Sequence, residues 1–128
     1  TIEDAVAKLA KYPLLTQPGA KWRYGFSSDV LGRIAEIASG QRLDDFLRAR
    51  LLDKIGMRDT GFSVRGNVDL LADAYAPAGT NKLQNITAKL PPSSQYENPG
   101  MFFSAGGGLV SSARDYIRFC QMLSNGGQ

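Results

Sequence analysis

Pro18-Gly19-Ala20-Lys21-Trp22-Arg23-Tyr24-Gly25-Phe26-Ser27-Ser28-Asp29-Val30-Leu31-Gly32 holds the pattern from which the rest of the chain can be read. Gln17-Pro18-Gly19 is a turn, because proline fixes one backbone angle and glycine accepts unusual ones. Lys21 to Phe26 alternates aromatic with other side chains, which suits a short extended segment. Ser27 or Ser28 is placed to cap a helix, since a serine oxygen can accept from the unpaired N–H groups of a first turn. Asp29 suits the positive end of the same helix. Val30, Leu31, Ile34, Ala35 and Ala38 recur at helical spacing and share one face, and Gly40 is a good stop.

The same grammar extends in both directions. Thr1 caps a first helix with Glu3 and Asp4 in its first turn. Ala5, Val6, Leu9 and Ala10 form its apolar stripe, and Pro13 stops it. Downstream, Leu43, Phe46, Leu47 and Leu51 mark a third helix, with Asp44 and Asp45 near its start, Lys54 near its end and Gly56 just past it. Residues 57–64 read as a turn and a short strand, and Val68, Leu70, Leu71 and Ala72 as a brief helical turn. Ala74-Tyr75-Ala76 predicts a strand leading to the Pro77-Ala78-Gly79 turn. Residues 80–100 read as a loop with one short strand, a length at which loops are often functional. Ser111 or Ser112 caps a last helix, Ser112 and Asp115 resembling a capping box with Asp in place of Glu. Ala113, Tyr116, Ile117, Cys120 and Leu123 are spaced to face a core, and Gly126 ends the helix. The expectation is one domain over 1–128, mainly α with a few short β-strands.

Composition narrows the function. The hydrophobic share of 43% permits a core, and the net charge of +3 comes from 15 basic and 12 acidic residues scattered along the chain. No clustered basic patch supports a nucleic-acid interface. No apolar run approaches the roughly 18 residues of a membrane span, and no secretory signal is visible. The chain has one cysteine and no histidine. An internal disulfide, a Ser-His-Asp triad, a Cys-His pair and nearly every zinc site are thereby removed. Asp44, Asp45 and Asp53 do not cluster with thiol or imidazole ligands, so no metal site is expected. Thr1 already belongs to a helix, and both ends are expected to lie inside a longer protein.

Taken in order, the motifs resemble the β-lactamase, penicillin-binding and esterase superfamily of serine hydrolases. Pro18-Gly19 leading to Tyr24-Gly25-Phe26 ahead of Leu31-Gly32 is similar to that superfamily's Tyr-x-Asn element and its esterase variants. Glu36-Ile37-Ala38-Ser39-Gly40 with Leu43, then Lys54-Ile55-Gly56-Met57-Arg58-Asp59-Thr60-Gly61-Phe62, resembles its Leu-Gly-Met-x-x-Thr-x-Phe stretch. Gly106-Gly107-Gly108-Leu109-Val110-Ser111-Ser112-Ala113-Arg114-Asp115-Tyr116, ahead of Phe119, Met122 and Leu123, continues the likeness. The resemblance implies the helical lobe of the β-lactamase/transpeptidase-like fold. It implies a parent enzyme acting on small-molecule esters or amides through an acyl-serine, with no metal or organic cofactor.

Within that resemblance Tyr24 takes the place of the tyrosine that relays the proton. A phenol ordinarily titrates near pH ~10 and needs a neighbouring ammonium to serve as a base at neutral pH. The resemblance assigns that ammonium to the lysine of a Ser-x-x-Lys turn. This chain has none: Ser39 is followed by Arg42 at the lysine position, and neither Lys-Thr-Gly nor His-x-Gly occurs. Phe26 stands where β-lactamases and peptidases carry the asparagine, which favours the esterase-like branch. Ser104 and Gly106 are candidates for the cleft wall and, with Phe26, for substrate contact.

Plainer readings stand beside these. Tyr24 reads equally as a half-buried aromatic beside Trp22 and Phe26. The glycine run reads as a tight turn where backbone passes close to packed neighbours. A dinucleotide fingerprint fails because Ser111 occupies its last glycine position. Asn85-Ile86-Thr87 matches a glycosylation acceptor of a kind common by chance. Cys120 reads as a core residue, and Arg48, Arg50 and Lys54 as a solvated face. The competing functional reading is a catalytically inert helical module that self-associates through exposed apolar faces.

Overall fold

Thr1 opens the first helix as its spacing predicts. Its hydroxyl accepts from the Asp4 N–H at 3.1 Å while the Asp4 carboxylate reaches back to Thr1, and α1 runs Ile2–Leu9. The Asp4 carboxyl is held below its ordinary 3.8, first of all by the Thr1 hydroxyl. What this cap contributes is therefore fully present above 3.8 and is lost as pH falls below it, through the lowered value of the folded chain. The computed structural model describes residues 1–64, 68–87 and 102–127.

Helix α2 spans Ser27–Ser39 and ends on Gly40, whose φ of 68° is left-handed and whose N–H returns to the Glu36 carbonyl. Its start differs from expectation. Phe26 occupies the cap and no side chain caps the helix, so Ser27 and Ser28 lie within the first turn. Helix α3 spans Leu43–Leu47 and then widens into a π turn at Arg48–Leu52, where a continuous helix through Leu51 was expected. Arg48 is not solvated there. Its guanidinium donates to the Thr60 carbonyl at 3.2 Å and lies 3.5 Å from the Asp53 carboxylate. Local periodicity carries no trace of that partner across the next turn.

Among the described residues one hydrophobic cluster joins Ile2, Leu43, Phe62 and Phe103, with Val6, Ala35 and Leu47 packed against it, and Leu52 and Met57 are buried as well. The rings of Phe62 and Phe103 lie 5.0 Å apart, and the Arg42 guanidinium sits 4.7 Å above Phe103. Gly32 lets α2 come close. A β-carbon there would lie 2.7 Å from that of Ala105 and 3.0 Å from the end of Ile2, nearer than real side chains approach. Polar ties reinforce the same joint. Arg33 donates to Glu3 at 2.6 Å and Glu36 at 3.2 Å, and Glu36 accepts from the Leu43 N–H, linking the three helices.

Beyond Leu52 a turn leads to Thr60, and the strand expected there reduces to one antiparallel bridge between Gly61 and Val110. A 3-10 turn at Val68–Leu70 precedes a hairpin of β1 (Tyr75–Pro77) and β2 (Leu83–Asn85), with Tyr75 opposite Asn85. The rest of the expected loop, 88–100, lies outside the described residues. Helix α4 spans Ala113–Ser124 with Ser112 as its cap. Only half of the expected capping box forms. Ser112 accepts from the Asp115 N–H, but the Asp115 carboxylate, 1% exposed, turns inward. It accepts from the Asp59 N–H at 2.7 Å, the Thr60 hydroxyl at 2.9 Å and Arg118. A carboxylate offered buried donors outcompetes the reciprocal cap.

Two apolar stripes stay bare. Leu31, Ile34 and Ile37 on α2 and Tyr116, Ile117 and Leu123 on α4 are all exposed, and so is Cys120. The expectation that the α4 stripe and Cys120 face a core of these residues is therefore corrected. Periodicity identifies residues that share a face, not what covers that face.

Candidate active site

Where α2 begins, its first turn and the preceding segment face the loop 102–108 across a cleft of about 900 Å³. Tyr24, Gly25, Phe26, Ser28 and Asp29 form one side, and Phe102, Ser104 and the glycine run form the other, with Phe62 between them. All four residues singled out in the sequence (Tyr24, Phe26, Ser104 and Gly106) line this one cleft.

Tyr24 is 89% exposed, and its neighbours Trp22 and Phe26 are open to solvent too. The half-buried reading of Tyr24 is thus corrected. Residues 21–26 form no strand and are all exposed, so the alternation of aromatics there does not record a buried face. Tyr24 lines the cleft from its solvent-exposed side.

The opposite wall is fixed by chemistry rather than bulk. The Ser104 hydroxyl donates to Oδ1 of Asp29 at 2.8 Å, and the Gly106 N–H points at the same oxygen at 3.4 Å. None of Gly106, Gly107 and Gly108 needs a left-handed backbone. Proximity requires glycine at Gly108 and leaves Gly106 tight. A β-carbon on Gly108 would lie 2.8 Å from the Ser104 carbonyl and 3.0 Å from the Phe62 ring, and one on Gly106 would lie 3.1 Å from Asp29. The tight-turn reading of the run holds at those two positions, while Gly107 has open space around it.

Sequence reasoning missed Asp29, Phe62 and Phe102 as cleft residues. Asp29 was legible only as a partner for the helix dipole, because its other partners lie 75 and 77 residues away. The pattern Thr60-Gly61-Phe62 signalled a turn but not the ring beside the cleft. Among the described residues lining the cleft there is no lysine, arginine or histidine. Nor do three or more His, Cys, Asp or Glu side chains gather anywhere among the described residues to hold a metal. No helix there is long and apolar enough to cross a membrane. A second cleft, of about 270 Å³, lies between residues 58–60 and 110–112. Its Thr60 and Ser111 hydroxyls are bonded to each other at 2.8 Å and serve to dock α4. The first cleft therefore offers an accessible phenol, an apolar aromatic lining and a hydroxyl-bearing wall, but no activated nucleophile.

The family model described as beta-lactamase matches residues 1–128. Esterase EstB of Burkholderia gladioli is 33% identical over 135 aligned residues, covering 95% of this chain and 34% of that protein. Protein Rv1367c of Mycobacterium tuberculosis is 38% identical over 123 residues, covering 95% of this chain and 30% of that protein. The solved structure of EstCE1, a hydrolase with promiscuous acyltransferase activity, superposes on the whole chain with a TM-score of 0.85 at 28% identity, over 36% of its own length. The chain thus spans about a third of the length of these relatives. The architecture is the helical part of a β-lactamase/transpeptidase-like fold, as the motif order implies.

Proposed function

Because the chain belongs to the beta-lactamase family, we propose that it forms the tyrosine-bearing part of a longer serine hydrolase that cleaves small neutral esters or amides. The observation that carries this reading is the open placement of Tyr24 on the aromatic cleft, facing the Ser104–Gly106 wall. The nucleophilic serine and its lysine come from polypeptide other than these residues. The serine oxygen attacks the substrate carbonyl while the Tyr24 oxygen takes its proton, the lysine ammonium stabilising the phenolate. The tetrahedral intermediate then expels the alcohol or amine, which leaves with the proton returned from Tyr24. Water attacks the acyl-serine next, Tyr24 accepting its proton and passing it to the departing serine oxygen.

The lining favours neutral substrates. A carboxylate such as a β-lactam bears would meet the rings of Tyr24, Phe26 and Phe102 and the negative Asp29, with no cation among the lining residues described. Likeness to the esterase EstB supports the ester branch. Phe26, which offers no hydrogen bond where an asparagine stands in β-lactamases, points the same way.

The test is turnover of a nitrophenyl ester. The longer polypeptide is expected to release nitrophenol, and these 128 residues alone to release none above buffer. A longer polypeptide that is silent toward every activated ester and amide sinks the reading. Turnover by the chain itself would show that the nucleophile lies within it.

The bare stripes favour a second reading for the chain in isolation, an inert module that pairs with itself. Leu31, Ile34 and Ile37 on α2 are 64%, 53% and 66% exposed, an apolar surface that water disfavours. Sedimentation velocity is expected to show mass rising with concentration. A single monomeric species at every concentration would eliminate this reading.

A further inference from the structure

We infer that Asp29 is the positioning residue of the cleft: its buried carboxylate holds the Ser104–Gly106 wall at a set distance from the helix that follows Tyr24, and so fixes the width of the substrate slot. The inference rests on the esterase reading of that cleft and adds to it the residue that shapes it.

Asp29 is 8% exposed, an unusual position for a carboxylate. Burying a charge is costly unless hydrogen bonds or opposite charge compensate. The compensation here is specific. The first turn of α2 places Asp29 in the positive field of the helix end. The remaining support is the Ser104 hydroxyl at 2.8 Å and the Gly106 N–H at 3.4 Å, both directed at Oδ1. Neither partner belongs to the hydrophobic cluster of Ile2, Leu43, Phe62 and Phe103. The carboxylate is thus spent on the cleft wall rather than on the core. A β-carbon on Gly106 would lie 3.1 Å from its other oxygen, so the absence of a side chain there is what lets the wall come this close. One side chain thus ties the wall to the helix through Oδ1. Tyr24 precedes it in the same cleft side, so the base and the facing wall are referenced to one residue.

The test uses the full-length enzyme and a nitrophenyl ester. Asp29→Ala releases the wall, and KM is expected to rise on the order of tenfold, the equivalent of one lost charged hydrogen bond. The kcat per titrated active site stays within about threefold, because Tyr24 is untouched. Asp29→Asn keeps an acceptor at Oδ1 for both donors and is expected to restore most of the KM. Adding Ser104→Ala to Asp29→Ala should cost little more than Asp29→Ala alone, since the two act through one contact. Loss of active sites with KM unchanged would mark Asp29 as merely structural and overturn the inference, as would a wild-type KM in Asp29→Ala. If the wild-type enzyme cleaves no ester, the functional reading falls, and amide exchange at Gly106 decides the positioning on its own. Faster exchange in Asp29→Ala but not in Asp29→Asn supports it, and unchanged exchange overturns it.

Discussion

Tyr24→Phe in the full-length enzyme is expected to lower kcat for a nitrophenyl ester by about 10²- to 10⁴-fold, the usual contribution of a positioned general base. KM and the unfolding midpoint should barely move. The substitution removes one oxygen and keeps the ring, so the apolar contact that the ring makes with substrate survives. The side chain is 89% exposed, and surface changes of this kind usually stay within about 0.5 kcal/mol. The loss should fall on acylation and deacylation alike, because both steps move a proton through the same phenol. A kcat within about threefold of wild type would show that the proton travels another way, since a positioned base contributes far more than that. Removal of the neighbouring phenyl ring by Phe26→Ala serves as the contrast. That ring carries no titratable group, so its loss should appear in KM.

Phe103→Ala is expected to be the most destabilising single truncation, costing about 3–5 kcal/mol. That is a large part of the 5–15 kcal/mol by which folded domains typically exceed their unfolded states. Phe103 is 4% exposed and joins Ile2, Leu43 and Phe62 in the core. Truncation removes its ring contact with Phe62 and the surface on which the Arg42 guanidinium rests. The cavity left behind borders Phe62, which also lines the cleft, so the site loosens with the core. Phe102, next in sequence, is 45% exposed and is the internal control. Its replacement by alanine should cost only about 1 kcal/mol, because nearly half of its surface is already wet. Urea midpoints at a shared slope measure both. Equal losses at the two positions would show that the core described here does not carry the stability.

The helices were legible because their signals are local. Thr1 with Asp4, Gly40 after Ser39, and Ser112 ahead of Ala113 each act within one turn, and each functions as the spacing implies. The cleft was legible in part for a different reason. Tyr24, Phe26, Ser104 and Gly106 were found through the order of motifs, and the fold brings them to one place. What could not be read are the interactions whose partners are far apart in the chain. Asp29 to Ser104, Arg48 to Thr60 and Asp115 to Asp59 each turn a residue that looks like an ordinary cap or surface charge into a cross-link. The π turn after Leu47 was not legible either, since the apolar spacing continues through it to Leu51. Burial was misjudged where a helical stripe has no cover among these residues, as at Tyr116 and Cys120.

The inward turn of Asp115 also orders events in time. Its Oδ2 accepts from Asp59 and Thr60, 56 and 55 residues earlier in the chain. Contacts of such span form late, because the intervening chain must first give up its freedom. On a ribosome the Thr60 turn therefore waits, its donors answered only by water, until the last helix has emerged. A nascent chain halted before that helix would display the Gly56–Thr60 turn loose, and a protease supplied at that moment would find it.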